Sequence, residues 1–185
     1  MIDEILLAVD ERMRRSIEAM RRDLTTIRSG RAAPALVEHI KVDAYGVPTL
    51  LNQLATISVP EANLLIIQPW DRNVLDSIQK AILKSDLGIN PINDGTIIRL
   101  VVPPPTEERR KEMVKLVRKR VEEARVGIRN LRRETVEELR KLERDKEISQ
   151  DENERALGRL QKLTDSFIRE VEQIGQGKEA EIMEI

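Results

Sequence analysis

Residues 103–134 read PPPTEERRKEMVKLVRKRVEEARVGIRNLRRE, and this stretch decides how the rest of the chain must be organised. Three prolines forbid helix, and Thr106 followed by Glu107 and Glu108 then supplies an N-cap with acidic first-turn residues. Val117, Val121, Ala124, Ile128 and Leu131 recur at steps of three and four, the spacing of a buried helix face. The helix predicted here runs proline-free toward Ile148, a rod of about 60 Å at 1.5 Å per residue.

The same stretch carries an excess of positive charge. Between Arg109 and Arg133 stand eleven Lys or Arg and three Glu, in a chain whose net charge is −1. Lys111, Arg118, Arg125 and Arg132 repeat every seven residues, with Arg129 beside them. At about 100° per residue they fall within a sector of roughly 60°, about a quarter turn from the apolar face. Glu123, Glu134 and Glu137 fall on the far side of the helix. A ridge that is mainly arginine suits a polyanion, because the planar guanidinium binds phosphate at two points. The ordinary alternative is a solvated helix face.

Outward from this helix, proline usage partitions the chain. All eight prolines lie between Pro34 and Pro105. We therefore expect a proline-free helical body, residues 1–30 and 106–185, interrupted by an inserted module at 31–105. In the first arm, Ile2, Ile5, Val9, Met13, Ile17, Met20, Leu24 and Ile27 form an amphipathic stripe that is predicted to stop at Ser29-Gly30. Ser149 followed by Glu152 makes a capping box for a third helix. Its stripe is Leu157, Leu160, Leu163, Phe167, Val171 and Ile174, with Gly175 and Gly177 expected to fray its end. Three long stripes predict a three-helix bundle.

The insert has strand texture. Ile40, Val42 and Ala44 alternate with His39, Lys41 and Asp43 as in a half-buried strand, and Gly46-Val47-Pro48 reads as a turn. Strands are predicted around Ala55–Val59, Leu64–Ile67 and Thr96–Val102, with a helix capped by Asp71 running through Ser85. The fold class is thus α+β with two domains: a long helical bundle and a small α/β module. Ser29-Gly30-Arg31 and Pro103-Pro104-Pro105 connect them, and a Gly on one strand with a stiff Pro run on the other suits a hinge of limited range.

Several chemistries lack their residues. There is no cysteine, and His39 is the only histidine. No nucleophile elbow or phosphate-cradling glycine loop is present. We expect no catalytic residue, no metal site, no cofactor and no enzyme activity. No apolar run reaches membrane-spanning length, so a soluble cytoplasmic protein without membrane contact is expected, and a monomer is the expected state. No aromatic lies on the basic helix, so bases would have nothing to stack on. Folded RNA, read by shape and backbone, is the expected partner. An acidic protein partner is the competing expectation.

The stretches IRSGRA (27–32), KAILKSDLGINP (80–91), PPPTEERRKEMVK (103–115), ARVGIRNLRRE (124–134) and DKEIS (145–149) together resemble the ribosome recycling factor family over essentially the whole chain. The resemblance implies an L-shaped protein of roughly transfer-RNA dimensions. It implies a translation factor that acts after peptide release, lying against large-subunit ribosomal RNA across the A and P sites. Elongation factor G and GTP would then drive it against an intersubunit bridge and part the subunits. It further implies that Arg110, Arg129, Arg132 and Arg133 face ribosomal RNA, and that the hinge is Ser29, Gly30, Arg31, Pro103, Pro104 and Pro105; the seven-residue column overlaps that arginine set only at Arg132, so Lys111, Arg118 and Arg125 are expected as supporting charge. The smaller module would sit nearer the small subunit and elongation factor G.

Overall fold

A computed structural model describes residues 1–27 and 30–184. The chain divides into two compact units, Met1–Arg28 with Glu107–Glu184, and Ser29–Thr106.

The larger unit is a bundle of α1 (Ile2–Thr25), α3 (Glu107–Arg144) and α4 (Gln150–Met183). Its core is continuous. Met13, Ile17, Val117, Ile128, Leu139, Leu160, Phe167, Val171 and Ile182 are all buried in one cluster. The α1 stripe is buried from Val9 onward, Leu6 joins it, and Ile2 and Ile5 are only partly covered. On α4 the buried line runs through Ala156, Leu160, Thr164, Phe167 and Val171, so Leu157, Leu163 and Ile174 flank it.

Three helix ends differ from expectation. α1 stops at Thr25, before the glycine. The Thr25 and Thr26 hydroxyls donate to Arg22 O and Asp23 O, both at 2.6 Å, and β-branched residues bonded back in this way favour a helix end. α3 stops at Arg144, short of Ile148. Lys146 takes φ +58°, while the amides of Lys146 and Glu147 donate to the carbonyls of Glu143 and Leu142. That is a Schellman closure with lysine in the left-handed position where glycine is usual. α4 does not fray at Gly175 but continues to Met183. Gly175 is buried, and a Cβ there would stand 2.5 Å from Val121 Cγ2, so its lack of a side chain lets α3 and α4 approach closely.

The capping box at α4 is formed. Ser149 Oγ accepts from Glu152 N at 3.1 Å, and Glu152 Oε2 accepts from Ser149 N at 2.7 Å. These bonds from Ser149 hold the Glu152 carboxyl below its ordinary value of 4.5. A depressed folded-state value adds stability above the unfolded value and loses it as pH falls through the folded one. Ser149→Ala is expected to cost about 1 kcal/mol in urea unfolding at pH 7. The gap between the two proteins should narrow as pH falls below about 4.5.

In the smaller unit, β1 (Lys41–Ala44) and β2 (Val47–Leu50) form a hairpin. β3 (Ala55–Glu61), β4 (Leu64–Pro69), β6 (Ile98–Val101) and β5 (Ile92–Asn93) form an antiparallel sheet in that order. α2 (Leu75–Lys84) buries Leu75, Ile78 and Ile82 in a core with Val42, Leu51, Leu65, Ile67 and Leu100. Gly46-Val47-Pro48 is not the turn. Tyr45 (φ +53°) and Gly46 (φ +79°) make a two-residue turn, and Val47 and Pro48 pair with Ala44 and Asp43. Pro48 fits there because a two-stranded sheet has only edges. Asp71 accepts from Asn73 N at 2.9 Å, capping a 3₁₀ turn that leads into α2. Asp94 Oδ1 accepts from the amides of Ile97 (2.8 Å) and Thr96 (3.0 Å), which lowers its carboxyl pKa and turns the chain into β6.

Candidate nucleic-acid interface

α3 presents its apolar face to the core and borders α1 on one side, where Arg12 meets Glu134 at 3.1 Å. α4 lies on the other side. The seven-residue arginine column runs along this second seam instead of standing as a separate ridge. Arg118 Nε lies 2.9 Å from Glu179 on α4. Arg125 contacts Glu122 at 3.0 Å and Glu172 of α4 at 3.4 Å. Lys111 pairs with Glu107 at 3.2 Å.

The physical reason is helical drift. A strict seven-residue repeat slips about 20° per heptad on a 3.6-residue helix. The column therefore slides toward the neighbouring helix as it proceeds: the Arg118 side chain is 71% exposed and that of Arg125 30%. The expectation that carboxylates gather on the far side of α3 holds for Glu134, which faces α1. Glu107 and Glu122, which that expectation did not include, share the arginine side, and α4 adds its own row.

Arg129 and Arg133, one turn apart, are placed differently. Both are exposed, and neither takes an ion-pair partner among the described residues. Arg132, half-buried between them and α4, donates from Nη1 to Gln161 Oε1 at 3.1 Å. These three guanidinium groups fall within five consecutive residues, 129–133, on a helix whose opposite face is fixed in the core. Val126 and Asn130 beside them are also exposed. Arg110, in the first turn of α3, is half-buried, and its Nε takes no hydrogen-bond partner among the described residues. It lies about five turns from the 129–133 cluster.

Toward the start of α3 the same seam opens into a groove of about 610 Å³, floored by Val114, Ala180 and Met183 and rimmed by Lys111, Lys115 and Arg118. Nothing in the single-helix pattern marks this groove, because α4 supplies half of it.

Of the residues predicted to form a hinge, Ser29 lies outside the described residues. Gly30 takes φ +81°, and a Cβ there would meet Pro105 Cδ at 2.6 Å and Cγ at 2.9 Å. Glycine is thus required at position 30 both by conformation and by space. Arg31 and Pro105 are half-buried, whereas Pro103 and Pro104 are exposed. His39 is exposed and lies 3.6 Å from Glu38. Tyr45 and Trp70, both exposed, belong to the smaller unit, and Phe167 is in the bundle core.

A helical bundle bearing an exposed arginine cluster, with an α+β unit inserted in its chain, is an architecture with known relatives. The sequence profile described as ribosome recycling factor matches residues 20–183. The ribosome-recycling factor of Syntrophomonas wolfei is 58% identical over 185 residues, covering 100% of both chains. That of Roseiflexus castenholzii is 56% identical over the same span, again covering 100% of both. A solution structure of the ribosome recycling factor matches with a TM-score of 0.69 at 45% identity, covering 100% of this chain and 98% of that one. A further match has a TM-score of 0.62 at 44% identity and covers 99% of each chain. It describes the T. thermophilus ribosome recycling factor and E. coli elongation factor G bound to the E. coli post-termination complex. The chain belongs to the ribosome recycling factor family.

Proposed function

We propose that this chain is a non-enzymatic translation factor that binds the post-termination ribosome and, with elongation factor G and GTP, separates it into subunits. It engages structured large-subunit ribosomal RNA through Arg129, Arg132 and Arg133, with Arg110 as an outlying contact. The observation that carries this reading is the contrast along α3: Arg118 and Arg125 are engaged by carboxylates, while Arg129 and Arg133 stand exposed without ion-pair partners among the described residues. Positive charge left unneutralised on a rigid helix suits a phosphate backbone. The absence of any aromatic on α3 favours backbone and shape contacts over base stacking. The structural relative described with elongation factor G on a post-termination complex supports both the ribosome and elongation factor G as partners. A factor that works on the ribosome acts in the cytoplasm, and among the described residues no helix is long and apolar enough to cross a membrane.

The test is a splitting assay. Post-termination ribosomes, elongation factor G and GTP should lose light scattering when this protein is added. Unchanged scattering would refute the reading.

We also propose that the connections at 29–31 and 103–105 bend during this reaction. The support for this is that the two connecting strands come together at Gly30 and Pro105, both in the smaller unit, next to where the chain passes into the bundle. A cross-link joining the two units across the junction is expected to spare ribosome binding and to abolish splitting. Full activity of the cross-linked protein would remove bending from the mechanism.

A further inference from the structure

Arg118, Arg125 and Arg132 follow one another along α3 at seven-residue intervals. Glu179, Glu172 and Asp165 follow one another along α4 at the same interval in the opposite direction. Antiparallel packing sets these columns rung to rung. The first rung closes directly, Arg118 Nε to Glu179 Oε1 at 2.9 Å. The second closes only as an ion pair: Arg125 Nε lies 3.4 Å from Glu172 Oε1 but takes no hydrogen-bond partner among the described residues, and Arg125 Nη1 donates instead to Glu122 Oε2 at 3.0 Å. The third does not close. Gln161, one turn before Asp165 on α4, stands between the partners. Arg132 Nη1 donates to Gln161 Oε1 at 3.1 Å, and Gln161 Nε2 donates to Asp165 Oδ1 at 2.8 Å.

The chemistry of the amide fixes this arrangement. Its oxygen only accepts and its nitrogen only donates, whereas an ionised carboxylate only accepts and a guanidinium only donates. Asp165 therefore turns the Gln161 NH₂ toward itself and leaves the oxygen facing Arg132. A flipped amide would oppose donor to donor and acceptor to acceptor. Arg132 is thereby held by one N–H on a neutral acceptor. It keeps its full charge and its remaining N–H donors, which a carboxylate at the same place would engage in a two-point fork.

We infer that Gln161 is a positioning residue for ribosome binding: it aims Arg132 and shields it from neutralisation by the α4 carboxylate column. This rests on the RNA-binding reading of Arg132 given above. Gln161 and Asp165 are both exposed, so replacing either leaves the core untouched.

The experiment measures affinity for post-termination ribosomes and the thermal midpoint of the same proteins. Gln161→Glu keeps the side-chain shape but adds a charge, and should weaken binding about tenfold with the midpoint unchanged. Gln161→Ala removes the hold without neutralising the guanidinium and should lose less. A packing role for Gln161 predicts the reverse order, because glutamate is the closer match in size, so that order would overturn the inference. In the Arg132→Ala background, Gln161→Glu should add no further loss, and an additive loss would also overturn it. If Arg132→Ala weakens binding but Gln161→Glu does not, the inference fails and the RNA reading stands. If Arg132→Ala itself binds as tightly as the parent, both fail.

Discussion

Arg132→Ala is expected to weaken binding to post-termination ribosomes by about 1–3 kcal/mol while leaving the fold intact, the range for removing a charge-assisted hydrogen bond from an interface. Arg129→Ala and Arg133→Ala should act in the same direction, because both groups face solvent beside Arg132. Arg118→Ala and Arg125→Ala should change affinity far less. Their guanidinium groups already pair with Glu179 and Glu172, so little charge is left to offer to a phosphate. Arg118 in its exposed pair contributes at most about 1 kcal/mol to stability, so its replacement should fold normally. Sedimentation binding with circular dichroism on the five variants separates the two groups. Equal effects across all five would mean that the α4 carboxylates do not sort these arginines.

The second large effect concerns packing. Gly175→Val is expected to destabilise the bundle by about 1–3 kcal/mol in urea unfolding, the range for overfilling a packed core. A Cβ at this position meets Val121 Cγ2 at 2.5 Å, and Val121 is buried and stiff at χ1, so it cannot turn aside without strain. The helices must then separate locally, close to the rung between Arg125 and Glu172. Val121→Ala in the same chain makes room and should recover part of the loss. Absence of both the loss and the recovery would show that the close approach is not a constraint.

Where the sequence was informative, the determinants were local. Steps of three and four apolar residues locate all three bundle helices, since burial of a helix face is written in its own periodicity. The capping box at Ser149 and Glu152 is likewise an interaction between residues three apart. Alternation from His39 to Ala44 locates β1 but not its start, because the Ile40 amide donates to Val37 O in a turn and the strand begins at Lys41. What was not legible depends on partners distant in sequence or on an unusual conformation. Lys146 closes α3 in a left-handed conformation that no glycine announces. Gly175 reads as a helix breaker until Val121 is placed against it. β5 is two residues long, too short for any pattern. The arginine column looked uniform because charge spacing within one helix says nothing of the register of its neighbour. Only with α4 in place do Arg118 and Arg125 separate from Arg132, and only then does Gln161 enter the site.

The central claim is that the face of α3 around residues 129–133 lies against ribosomal RNA, and one measurement addresses it directly. The chain has no cysteine, so Val126→Cys on this exposed face gives a single attachment point for a radical-generating iron chelate. Bound to post-termination ribosomes, the tethered protein should cleave large-subunit ribosomal RNA at a small set of positions, and Arg129, Arg132 and Arg133 replacements should abolish those cuts. Tight binding with no RNA cleavage from this position, or cuts that persist at full strength in the triple variant, would contradict the claim.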